Sequence, residues 1–141
     1  MTWLDRYHED HKSVLLLLAK LEGNLTEMEK GQTRPNIMLE FEEFGDVIKQ
    51  VIIPHFKAEE EDAYPKLVKL NPAATQFVDN MLEDHRKLHK AFKEYLAALG
   101  PANQDKLIKS GKIMLQLLMK HIEKEENALP ELLKRAQKKP Q

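Results

Sequence analysis

The sequence predicts an all-α protein, an up-down-up-down antiparallel four-helix bundle formed by a single domain over residues 1–141. Three observations carry that prediction. Apolar residues recur at alternating three- and four-residue spacings in four long segments, which is the period of one helix face. Turn and proline signals cut the chain at three places, around 31–35, 65–72 and 100–103. The breaks are short, and short connections between long amphipathic helices place neighbours antiparallel.

The four segments span approximately 3–30, 36–66, 72–99 and 102–134. In the first, Leu4, Tyr7, His11, Val14, Leu18, Leu21, Leu25 and Met28 form one stripe, apolar except for a single histidine, and Thr2 with Asp5 three residues on reads as its cap. The second carries Phe41, Phe44, Ile48, Val51, His55 and Ala58 on its stripe. Pro54 lies inside it, removes a backbone donor and predicts a bend near His55 without a chain break. The third runs Val78, Met81, His85, Leu88, Phe92, Tyr95, Leu99, and the fourth Leu107, Gly111, Met114, Leu118, His121, Glu125, Ala128, Leu132. Pro35, Pro72 and Pro101 stand where a first-turn proline is tolerated.

Composition removes several function classes. A chain of 141 residues can bury roughly two-thirds of its unfolded surface in one core. A net charge of −1 gives no basic face for nucleic acid. The basic residues near the C-terminus (Lys120, Lys124, Lys134, Arg135, Lys138, Lys139) read as a solvated helix end. There is no cysteine, so disulfides, iron–sulfur clusters and thiolate chemistry are excluded, and imidazole and carboxylate remain as the strong metal ligands. The longest apolar run, 14–19, is far below a membrane span, and the N-terminus lacks the signal-peptide pattern. A cytoplasmic location without membrane contact is expected, and nothing in the pattern specifies an oligomer.

Five of the six histidines, His11, His55, His85, His89 and His121, fall on or beside the inward stripes. Their heights agree as well. In antiparallel helices, residues equidistant from the joining turn lie level. The midpoint of His11 and His55 is position 33, that of His55 and His85 is 70, and that of His85 and His121 is 103, each in or at the edge of a break. One imidazole from each helix is thus delivered to one level. His55 with Glu59, His121 with Glu125 and His85 with His89 are i,i+4 pairs that share a helix face. Buried ionisable groups need partners, and a cation supplies one. Methionines 28, 81 and 114 read as core filling, and His8, off the stripe, as a solvated side chain.

The chain also repeats itself. Glu9-Asp10-His11-Lys12 parallels Glu83-Asp84-His85-Arg86, and the His55 segment parallels the His121 segment through Glu59-Glu60 and Glu125-Glu126 to Pro65 and Pro130. A duplicated helical hairpin accounts for both. His8-Glu9-Asp10-His11 is one residue short of the zinc-peptidase pair H-E-x-x-H. None of the five histidines has a Glu three positions before it, as a ferritin-like site requires.

Asp10-His11, His55-x-x-x-Glu59-Glu60, Asp84-His85-x-x-x-His89 and His121-x-x-x-Glu125-Glu126, in that order on successive helices, resemble the hemerythrin-like, or HHE, domain family from about 4 to 133. The resemblance implies two non-haem iron ions with a bridging oxo or hydroxo group. One iron would be held by His85, His89 and His121, the other by His11 and His55, with Glu59 and Glu125 bridging. Glu126 is the rival for the last role, because true hemerythrins place an Asp one residue further from the histidine. Glu60 and Glu126 otherwise read equally as partners of the ligands or as exposed charge. With five imidazoles and two bridging carboxylates, about one of roughly twelve coordination positions stays open. In the family it lies on the iron with two histidines and takes dioxygen or nitric oxide. The resemblance therefore implies a ligand-binding protein for transport, storage, sensing or scavenging, favoured over an enzyme. A diiron oxidoreductase or iron–sulfur repair and iron-handling protein is the alternative, and a metal-free interaction bundle the third reading.

Overall fold

Four helical rods account for nearly all of the chain in a computed structural model, which describes residues 3–32 and 34–137, with side chains at 9–32, 34–100, 102–132 and 134. Helix α1 is Trp3–Glu29. Helix α2 runs through 37–70 as α-helical Ile37–Val47, Ile53–Ala58 and Tyr64–Leu70, joined by the π-helical turns Ile48–Ile52 and Glu59–Ala63. Helix α3 is Thr75–Ala98 and α4 is Gln104–Gln137, each entered through a short 3-10 turn, Pro72–Ala74 and Pro101–Asn103. The topology is the up-down-up-down bundle, with α1 against α2 and α4, and α3 against α4. No strand occurs among the described residues. No helix among them is long and apolar enough to cross a membrane. The cap read at Thr2, the side chains of Leu4, Tyr7, His8 and Arg135, and Lys138 and Lys139 lie outside what the structure describes.

Local chemistry ends the rods where the sequence places breaks. Gly31 takes φ +75, a left-handed conformation that glycine adopts without penalty. Its amide donates to the Met28 carbonyl and that of Gln32 to the Glu27 carbonyl, the paired bonds of a Schellman stop. Arg34 then ties the connection down, donating to Glu27, Asn24 and Glu40, each at 2.7 Å. Before α3, the Asn71 side chain accepts from the Ala73 amide.

The stripes of α1, α3 and α4 are buried nearly throughout, although Leu99, Ala128 and Leu132 are only half-buried. In α2 the buried positions shift by one residue beyond Ile48: Ile52, Phe56 and Glu59 face inward where Val51, His55 and Ala58 were predicted, and Val51 is 39% exposed. The cause is the π turn at Ile48–Ile52, which adds a residue to one turn of the helix. Both π turns lie just ahead of a proline, Pro54 and Pro65. A proline ring clashes with the carbonyl four residues back, and a wider turn moves that carbonyl away. The helix passes both prolines unbroken.

Two apolar clusters fill the bundle. The larger includes Leu18, Leu25, Phe41, Phe92, Met114 and Leu118, and the smaller Tyr64, Leu67, Val78, Met81 and Leu129. Between them, on every helix, comes a polar residue: His11, Glu59, His85, and His121 with Glu125, each no more than 4% exposed.

Helices α1 and α4 approach closely at Gly111, where an added Cβ would lie 2.9 Å from Leu25 Cδ2. Leu25 is 1% exposed and has little room to yield. Gly111→Ala gains about 0.5–1 kcal/mol of helix propensity but overpacks the core by about 1–3 kcal/mol, so a net loss on the order of 1 kcal/mol is expected in urea unfolding.

Candidate metal centre

The polar layer owes its position to register. Glu59 turns inward because the first π turn shifts α2, while His85, His121 and Glu125 follow the ordinary helical period of α3 and α4. Their donor atoms meet in the middle. His85 Nε2 lies 3.2 Å from His121 Nε2 and 3.3 Å from Glu59 Oε1. His121 Nε2 is 3.0 Å from Glu125 Oε1, and His11 Nε2 is 3.4 Å from the same oxygen. His55 Nε2 is 3.7 Å from Glu59 Oε1, and the rings of His11 and His55 stand 5.4 Å apart. Glu59, His85 and His121 each offer an atom within 4.8 Å of the others, close enough to share one ion.

The opposite nitrogen of every ring is held by an acid from a neighbouring helix. His11 Nδ1 meets Glu126 at 2.7 Å, His55 Nδ1 meets Asp10 at 2.9 Å, His85 Nδ1 meets Glu60 at 2.8 Å and His121 Nδ1 meets Asp84 at 3.2 Å. Each helix thus supplies one imidazole and one acid, and the pairs close a ring around the bundle: α1 to α4, α4 to α3, α3 to α2, α2 to α1. The sequence repeat appears as a pseudo-twofold axis. In a neutral ring, an Nδ1–H donated to a carboxylate leaves Nε2 as a lone pair, so a nitrogen facing the centre is an acceptor wherever its ring carries a single proton.

Acceptors facing acceptors at 3.2 Å repel unless a proton or cation lies between them. Glu59 Oε1 is buried with no hydrogen-bond donor among the described residues, a cost rarely left standing in a folded protein. Nitrogen and carboxylate donors in this mixture, without thiolate, suit first-row transition metals. The residues therefore fit a bound cation.

The titration behaviour agrees. Burial pushes the Glu59 carboxyl well above the usual range, and Glu125 reinforces this; Glu125 is equally buried, yet hydrogen bonds with Glu59, His11 and His121 hold it well below. The two acids behave as a pair sharing one proton. Burial, and then His121, lowers His85 to about 4, and burial lowers His55. Burial opposes a charge on His11 too, but Glu125 and Glu126 outweigh it and its pKa rises.

A pH dependence follows. Stripped of metal, folded His85 stays neutral from its ordinary value of 6.5 down to about 4, while the unfolded chain takes up a proton there, so stability falls as pH drops through that window. His11, raised, offsets part of the loss. Loading requires the Glu59 proton to leave, so metal binding at neutral pH releases protons and weakens as pH falls. Urea midpoints at several pH values, and loading in weakly buffered solution with an indicator dye, measure both.

Of the seven residues singled out in the sequence, six meet in this layer and His89 does not. His89 is exposed. Its ring meets Phe56 edge-on at 5.9 Å, while the Phe56 ring stacks flat on His85 at 4.0 Å. Among the described residues no nitrogen or carboxylate of the layer contacts it. Glu125 faces the centre, and Glu126 sits behind His11. Tyr64 was not anticipated: its buried hydroxyl donates to Glu125 Oε2 at 2.7 Å and lies 3.0 Å from Glu59 Oε2. One signal for it stood in the repeat, as the spacing from histidine to proline is one residue longer in the half that carries Tyr64.

Beside the donors lies a small cavity of about 20 Å³, bordered by His11, His55, His121, Glu125 and Asp10 and lined on its other sides by Val14, Val51, Ile52, Phe56, Leu118 and Ile122.

A family model for the hemerythrin HHE cation binding domain matches residues 2–133, nearly the whole chain. No curated protein and no solved structure matches the chain significantly.

Proposed function

The chain belongs to the hemerythrin HHE cation-binding domain family, and from its donor set we propose that it is a cytoplasmic non-haem diiron protein that binds dioxygen or nitric oxide for transport, storage, sensing or scavenging. His11, His55, His85 and His121 supply the nitrogens, Glu59 and Glu125 bridge, and the cofactor is an oxo- or hydroxo-bridged iron pair. When bound, such a pair supplies two adjacent one-electron donors and an open position for a small ligand.

The observation that carries this reading is the cavity against the donors. At about 20 Å³ it exceeds the ~10–15 Å³ that one water-sized molecule needs, so it admits a diatomic and little more. Apart from the donors and Asp10, its walls are aliphatic and aromatic. A neutral, weakly hydrated gas gains by entering such a space, where it meets hydrocarbon on one side and the donors on the other. Phe56, Leu118 and Ile122 keep bulk water from the imidazole layer. The four acids behind the rings keep each Nε2 aimed inward as a lone pair. Glu59 and Glu125, one on each side of the pseudo-twofold axis, can each present two oxygens to two ions.

The test is optical. Protein loaded with ferrous iron and reduced under anaerobic conditions should develop near-ultraviolet and visible charge-transfer bands on admitting oxygen, and lose them on its removal. Nitric oxide should give its own spectrum. If neither gas changes the absorbance of iron-loaded protein, the gas-binding role is wrong.

A further inference from the structure

The four imidazoles, the two bridging carboxylates and the four acids obey the pseudo-twofold axis, but Tyr64 does not. Pro65 follows His55 by ten positions, and Pro130 follows His121 by nine. The extra residue is absorbed in the π turn Glu59–Ala63, whereas α4 continues as an ordinary α-helix across Pro130. Anchored on the prolines, the counterpart of Tyr64 is Leu129. Both side chains are 2% exposed. One half of the bundle therefore presents a phenol where the other presents only hydrocarbon. π turns of this kind are frequent at functional sites.

The phenol oxygen is placed among the donors themselves. It lies 2.7 Å from Glu125 Oε2, 3.0 Å from Glu59 Oε2 and 3.5 Å from His85 Nε2, groups on three different elements. Around an ion with bonds of about 2.0–2.2 Å, donors at right angles stand about 2.8–3.1 Å apart; the hydroxyl stands 3.0 Å from Glu59 Oε2, within that range, and 2.7 Å from Glu125 Oε2, just short of it. The side where it stands is the side of Glu59, His85 and His121, the three residues able to share one ion. The cavity borders His11 and His55, touches the other side only through His121, and is not lined by Tyr64 or His85.

Resting on the metal-pair reading above, we propose that Tyr64 is a metal ligand, a phenolate on the ion held by His85 and His121, and that His89 is not one. On loading, the phenol O–H bond breaks, the oxygen bonds the metal and the proton leaves to solvent. One ion is thereby completed by an oxygen donor, and the open position is confined to the ion beside the cavity. The asymmetry that a gas-binding pair needs comes from one inserted residue in α2.

A phenolate bound to ferric iron gives a visible charge-transfer band, and excitation into that band enhances the vibrations of the tyrosine ring. Full-length oxidised, iron-loaded protein should show both, and ring-deuterated tyrosine should shift the enhanced vibrations without any change of sequence. Y64F should keep its iron and lose the band entirely; Y7F, Y95F and H89A should keep band and iron alike. Iron-loaded wild type without the band, absence of the isotope shift, or a band that survives in Y64F overturns the assignment while leaving the metal pair intact. Wild type that binds no iron overturns the metal-pair reading, and this inference with it.

Discussion

Glu59→Gln should nearly abolish loading of the metal pair while leaving the bundle folded. Glu59 is 1% exposed, and burial pushes its carboxyl far from its ordinary range, with Glu125 adding to the effect. In the protein stripped of metal, an uncharged amide of the same shape relieves that penalty, so the urea midpoint should hold or rise. For the metal the change is severe, because the amide removes the charge and one bridging oxygen. The loss should exceed the roughly 10–100-fold that removing a mere partner of a ligand costs. Equilibrium dialysis against ferrous iron reads the affinity and circular dichroism the fold. Unchanged iron uptake would remove Glu59 from the site.

Breaking the ring of acids should give the second-largest effect, graded by burial. Asp84→Ala, Glu60→Ala, Asp10→Ala and Glu126→Ala each release one Nδ1, so that imidazole can flip or take the other tautomer and turn an N–H toward the centre. Each should cost about 10–100-fold in metal affinity. Asp84 and Glu126, with side chains 18% and 30% exposed, should fall at the severe end, and Asp10, at 50%, at the mild end, since water screens an exposed pair. Asp62→Ala, whose side chain is 62% exposed and pairs with Lys66, is the neutral control. Four variants with the affinity of this control would show that the acids are solvated charge and no more.

The contrast between these groups explains what the sequence made legible. The breaks, the stripes of α1, α3 and α4, and the convergence of His11, His85 and His121 follow from a uniform helical period and the geometry of antiparallel rods, and both hold there; His55, on α2, keeps its height but not that period. The inward face of α2 was misplaced because Pro54 was read as a bend, whereas the backbone answers both prolines with π turns that move every later side chain by one position. Tyr64 arrives by the same route, and a uniform period cannot foresee it. His89 was expected from the i,i+4 rule, which describes one helix in isolation. The rule places His89 one turn from His85 but takes no account of Phe56 on α2, whose ring packs flat against His85 and meets His89 edge-on. The roles of Glu60 and Glu126 stayed open because an acid on a helix surface carries no mark of the imidazole it faces on the next helix.

The central claim is that four imidazoles and two carboxylates from four helices hold two ions in the interior. Elemental analysis of freshly purified full-length protein from iron-supplemented cells tests it most directly. About two irons per chain, lost on prolonged chelation and regained on adding ferrous iron, is the expected result. A folded protein that holds no stoichiometric transition metal would contradict it.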